Sequence, residues 1–133
     1  MESPESSVRA FIEAYYEWNH RSDARSNLVV GDPEQYDRAS AIANKEYDQI
    51  LKRFCVSDVV PQALSYGDNS LHDPNNEVIQ TVEIEGSTAT IWSRNVRQFG
   101  PKVAFRYGLV QDGGQWRIAS VLYVDEVGAD ETL

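Results

Sequence analysis

Val103-Ala104-Phe105-Arg106-Tyr107-Gly108-Leu109 alternates bulky apolar side chains with small or charged ones, and Gln115-Trp116-Arg117-Ile118 resumes the alternation after Asp112-Gly113-Gly114. A period of two is the signature of a strand, because successive side chains leave opposite faces of a sheet. One face takes Val103, Phe105, Tyr107 and Leu109. The following strand is expected to present Trp116, Ile118, Ser120, Leu122 and Val124 together. The glycines between them supply the positive φ angles that a tight hairpin turn demands.

The same period extends upstream. Val78, Gln80, Val82 and Ile84 alternate with Ile79, Thr81 and Glu83, and Glu85-Gly86 is a hairpin signal. Ser87 to Val96 is β-branched and aromatic around Ile91-Trp92, and Gly100-Pro101 turns the chain into the stretch quoted first. Four strands joined by short turns, with no helix between them, form an antiparallel meander.

The first half of the chain changes to a helical period. Ser3 suits an N-cap, Pro4 the first helical position and Glu5 the positive helix end. Val8, Phe11, Ile12, Tyr15 and Trp18 then form one stripe, which decays near Asn19-His20. After a loop at Gly31-Asp32-Pro33, a second helix is predicted from about Tyr36 to Phe54, with Ile42, Ala43, Tyr47, Ile50, Leu51 and Phe54 on its apolar face. Val56 to Asn76 is turn-rich, and Val59-Val60-Pro61 is compatible with a short helical turn. Helices first and strands second predict a single α+β domain over residues 1–133, with both helices packed on the concave face of a curved antiparallel sheet. The tail from 128 to 133 is expected to fray.

Composition narrows the function classes. The 133 residues carry 21 Asp and Glu against 12 Lys and Arg, a net charge of −9. That field repels phosphate backbones and anionic lipid and attracts a basic partner, so neither nucleic acid nor membrane is expected as a partner. The charge is also uneven along the chain. Phe54 to Ser93 holds Asp58, Asp68, Asp73, Glu77, Glu83 and Glu85 with no Lys or Arg, whereas Arg94 to Arg117 holds five basic residues against Asp112 alone. A solvated face with weak ion pairs explains such a run without any partner, each pair contributing a few tenths of a kcal/mol, about 0.3. An acidic docking surface formed by Asp68, Asp73, Glu77, Glu83 and Glu85 is the functional alternative.

Catalytic and metal signals are weak. Neither a phosphate-binding glycine loop nor a Cys-x-x-Cys pair occurs, and His20 and His72 are far apart, so no metal or cofactor is expected. His72-Asp73 is the one acid/base-like pair, but adjacent side chains point apart and the segment reads as a solvated loop. Tyr15 falls on the apolar stripe and reads as a core aromatic rather than an oxyanion donor. Cys55 is the only cysteine, which excludes an internal disulfide, and it reads as a small buried hydrophobe. No basic segment leads into an apolar run, and no run approaches about 20 apolar residues, so the cytoplasm is the expected compartment.

The order of elements and their marker residues resemble the nuclear transport factor 2-like superfamily, a cone-shaped, cystatin-like α+β fold. The resemblance rests on Val8–Trp18 with Tyr15, Trp18 and Asn19, on Ile42, Tyr47, Ile50 and Phe54-Cys55, and on the final aromatic strand, tight turn and Trp116-Arg117-Ile118. Within that superfamily the chain is similar to immunity proteins of bacterial polymorphic toxin systems. This implies a non-catalytic protein that binds and neutralises a cognate secreted toxin domain, protecting the producing cell. Two alternatives stay open. One is a small pocket enzyme of the same fold (an isomerase, dehydratase or cyclase), with Tyr15 and His72 or Asp73 as stand-ins for its working groups. The other is a non-catalytic module that forms a homodimer through its sheet or regulates a partner.

Overall fold

A computed structural model describes residues 3–59, 66–96, 103–125 and 128–133. Ser3 starts the first helix, α1 (Pro4–Asn27), through a reciprocal cap: its Oγ accepts from the Ser6 backbone N–H and its own N–H donates to Ser6 Oγ, both at 3.1 Å. Val8, Phe11, Ile12, Tyr15 and Trp18 are buried, as the stripe predicts. The helix does not end near Asn19-His20. Two further turns continue the buried face with Asn19, Ser22 and Ser26, and a hydrophobic stripe search misses them because these residues are polar.

Asp32 and Pro33, expected in the connecting loop, instead open α2 (Pro33–Phe54), the Asp32 carboxylate accepting from the Gln35 N–H at 3.2 Å. Ala39, Ala43, Tyr47, Leu51 and Phe54 are buried, whereas Ile42 is 45% exposed and Ile50 only partly covered. The two helices are joined by the Trp18 indole N–H, which donates to the Ala43 carbonyl at 3.0 Å, and by Arg21 and Arg25, which both reach Glu46. Beyond Phe54 the chain turns extended, and Cys55 bridges to Ile118 of the sheet.

Five strands follow: β1 (Glu77–Glu85), β2 (Thr88–Asn95), β3 (Ala104–Asp112), β4 (Gln115–Val124) and β5 (Ala129–Glu131). They form one antiparallel sheet in sequence order. Gly86 takes φ +61° at the β1–β2 turn, and Gly113 and Gly114 take +58° and +84° at the β3–β4 turn. The proposed turns at Val59-Val60-Pro61 and Gly100-Pro101 involve positions outside the described residues.

Three expectations in this half are corrected. In β1 a register shift between Ile79 and Thr81 puts Val82 and Ile84, opposite Ile91 and Ala89, on the face of Ile79 rather than with Val78. Gly108 pairs with Ser120 but Leu109 with Ile118, so Ala119 is an extra residue that reverses the alternation. The buried residue after Trp116 and Ile118 is therefore Val121, while Ser120 and Leu122 lie outside the core. The tail is not frayed: it supplies β5, the Thr132 N–H donates to the Val121 carbonyl, and Leu133 is 6% exposed. The inner face thus presents Ala89, Ile91, Phe105, Tyr107, Leu109, Ile118 and Val121 to Val8, Phe11 and Tyr15 of α1 in one core.

Candidate functional site

Within the core lies a polar cluster of His72, Glu77, Ser93 and Tyr107, which the loop before β1 helps to build. Asp73 turns the chain by accepting from the Asn75 N–H at 2.8 Å and from the Asn76 amide at 3.0 Å, while its backbone carbonyl accepts from the Glu77 N–H. Asp73 thus faces away from the histidine beside it. His72 points inward instead, with its ring centroid 4.4 Å from Phe105, 4.8 Å from Tyr15 and 5.3 Å from Phe11. The solvated-loop expectation for His72 is overturned, since the residue is 1% exposed.

Its partner is Glu77. His72 Nδ1 donates to Glu77 Oε1 at 2.7 Å, and Glu77 Oε2 accepts from Ser93 Oγ and from Tyr107 Oη, both at 2.5 Å. Tyr107 Oη also lies 3.0 Å from His72 Nδ1. Burial pushes the Glu77 carboxyl pKa up, but attraction to His72 and the hydrogen bonds from His72, Ser93 and Tyr107 outweigh it and hold the value below the ordinary 4.5. Burial raises the Tyr107 hydroxyl well above its ordinary value, and the adjacent Glu77 charge raises it further.

A cavity of about 340 Å³ opens beside this cluster, walled by Tyr15, Tyr66, Phe105 and Tyr123 with Asn19, Asn69 and Asn95. His72, Glu77 and Tyr107 do not line it. Phe105 and Tyr15 belong both to the cavity wall and to the ring contacts of His72. Burial moves the Tyr15 hydroxyl to about 12. Cys55 is buried as expected. Desolvation takes its thiol to about 12 although Arg117 pulls the other way, which makes the thiolate scarce at neutral pH. Among the described residues no group of three His, Cys, Asp or Glu side chains is placed to hold a metal ion.

The five carboxylates expected on a docking surface separate. Glu77 is buried in the core cluster, 6% exposed, and is corrected from a surface contact to an interior anchor. Asp73 is partly buried in its turn, Asp68 is exposed on the preceding loop, and Glu83 and Glu85 are exposed at the far end of β1. Nothing in the pattern from 54 to 93 distinguished Glu77. Period two places it with Ile79, Thr81, Glu83 and Glu85, a mostly polar set, and only the register shift between Ile79 and Thr81 brings it onto the face of Val82 and Ile84.

Two helices laid on one face of an antiparallel meander are the architecture of an NTF2-like α+β domain. The pattern of the Imm-NTF2 family, described as NTF2 fold immunity protein, matches residues 3–127, and the chain belongs to that family. No curated protein and no solved structure matches it. No helix among the described residues is long and apolar enough to cross a membrane.

Proposed function

We propose that this chain is a cytoplasmic immunity protein that binds and neutralises a secreted bacterial toxin domain of the polymorphic class, protecting the cell that makes it. The match of residues 3–127 to an immunity-protein family is the observation that carries this reading. The interior supports a non-catalytic role. Each ionisable group of the His72–Glu77–Tyr107 cluster is engaged by another, and the side chains of His72 and Glu77 are 1% and 2% exposed. A general acid or base needs an atom free to meet substrate. Packing and mutual hydrogen bonding instead suit a polar pin that fixes how the loop before β1 seats in the core.

The net charge of −9, with Asp68, Glu83 and Glu85 exposed and Asp73 partly so, favours a basic toxin surface as the complement. The test is to search the genes flanking this one for a toxin domain and to co-express the chain with it; a neighbourhood without any toxin gene counts against the reading. The expected result is restored growth and a one-to-one complex on sizing. Unrelieved toxicity with a folded, expressed chain would refute the reading.

A further inference from the structure

β1 is the edge of the sheet, and among the described residues no strand pairs along its far side. Its near half is anchored by Glu77 in the core. Its far half, residues 81 to 85, is exposed on both faces. The register shows why this matters. Val82 lies opposite Ile91 and Ile84 opposite Ala89, so both belong to the inner, apolar face. Yet Ile91 and Ala89 are 0% and 4% exposed, whereas Val82 and Ile84 are 39% and 58% exposed. The inner apolar face therefore runs past the helical cover and ends uncovered at this edge. Glu83 and Glu85 alternate with these residues and point to the opposite face.

An edge of this kind is a template for another strand, and chains that keep it free usually blunt it with charged side chains (lysine above all), proline, a bulge or a very short strand. Here the charges, Glu83 and Glu85, lie on the outer face and leave Val82 and Ile84 open. β1 has nine residues and contains neither Lys nor Pro. Its one register shift lies between Ile79 and Thr81, at the start of the exposed half, and the pairing from Thr81 to Glu85 is regular.

Building on the immunity reading, we propose that the 81–85 edge of β1 is where the toxin docks, by adding an extended strand to the sheet. The complementary strand carries apolar side chains against Val82 and Ile84 and Lys or Arg against Glu83 and Glu85. A second copy of this chain fits less well. Antiparallel self-pairing centred on 82, 83 or 84 sets the Glu83 and Glu85 carboxylates of the two copies directly or diagonally opposite one another, on a molecule already at −9.

The probe is a purified toxin domain taken from the genes flanking this one, with binding measured by titration calorimetry and protection by growth. V82K/I84K puts charge on an exposed apolar edge and should weaken binding at least about 100-fold, while E83K/E85K should weaken it about tenfold. In the unmutated complex, amide exchange at residues 81 to 85 should slow on toxin binding, a readout independent of any variant. Binding of V82K/I84K within about threefold of the parent, or unchanged exchange at these amides, overturns the edge proposal. If the parent protects and V82K/I84K protects equally, the edge falls and the immunity reading stands. If the parent neither binds nor protects, both fall. A toxin-free dimer that V82K/I84K dissolves would assign the edge to a second copy and overturn the toxin as its occupant.

Discussion

Glu77 is the residue on which the interior turns, because three donors converge on one carboxylate in a nearly water-free site. Removing the charge leaves His72, Ser93 and Tyr107 short of an acceptor. Glu77→Gln should therefore destabilise the fold by about 3 kcal/mol at neutral pH, read from urea unfolding. The pH dependence has a defined sign. The Glu77 value is lowered on folding, so its contribution is complete above the ordinary 4.5 and drains away as pH falls through the folded value. The gap between parent and Glu77→Gln should then shrink as pH falls below the ordinary 4.5; a constant gap would mean that the carboxylate is not the group responsible. Cys55 gives the opposite limb. Burial raises its thiol from 9.0 to about 12, so its contribution is complete below 9.0 and is lost as pH climbs toward 12. Its thiol should resist alkylation at pH 8 in the folded chain and react at once in denaturant.

At the scale of elements, the second half of α1 is held by polar contacts rather than by a hydrophobic stripe. The Asn19 side-chain amide donates to the Gly67 carbonyl at 2.8 Å and accepts from the Gly67 N–H at 3.2 Å, and Ser26 Oγ lies 2.8 Å from Tyr66 Oη. Asn19→Ala should cost about 2 kcal/mol and speed amide exchange in the loop around Gly67, with α2 unaffected. A stability within about 0.5 kcal/mol of the parent would show that the loop holds without the amide. This also explains what the sequence could and could not disclose. The strands were legible because period two and the positive-φ glycines are local signals. The end of α1 was not, because its buried face is polar, and Asn19 and Ser26 are held by a loop some 40 or more positions away. The core cluster was hidden for the same reason: Glu77 meets Ser93 and Tyr107 from 16 and 30 residues off, so five similar carboxylates looked alike until the chain folded. The bulge at Ala119 erased the expected phase of β4 in one step.

Across the whole molecule the helices mix both charge signs in ion pairs such as Arg9–Glu5 and Lys52–Asp48, so it is the sheet and the loop before it that carry stretches of one sign, and that bears on how a partner would approach. Arg94 and Arg106 are exposed beside Trp92 on the sheet face turned away from the helices; Glu83 and Glu85 share that face but lie at the far end of β1, and Asp68 lies on the loop before it. Because the total is −9, the distant field is negative and would guide the proposed basic toxin toward the molecule, but only the local arrangement at contact decides the fit. Steering acts before contact and is screened over roughly 10 Å at 0.1 M salt and roughly 3 Å at 1 M. Raising salt from about 0.05 M to about 0.5 M should therefore slow association with the toxin about tenfold, and leave dissociation within about twofold, in stopped-flow measurements. Asp68→Lys, remote from the β1 edge along the chain, should lower the association rate and flatten its salt dependence while sparing dissociation. E83K/E85K should alter both rates, because those carboxylates are proposed to act in the complex as well as on approach. A salt-independent association rate would remove the basic partner from the reading while leaving the apolar contact at Val82 and Ile84 to be judged by its own variants.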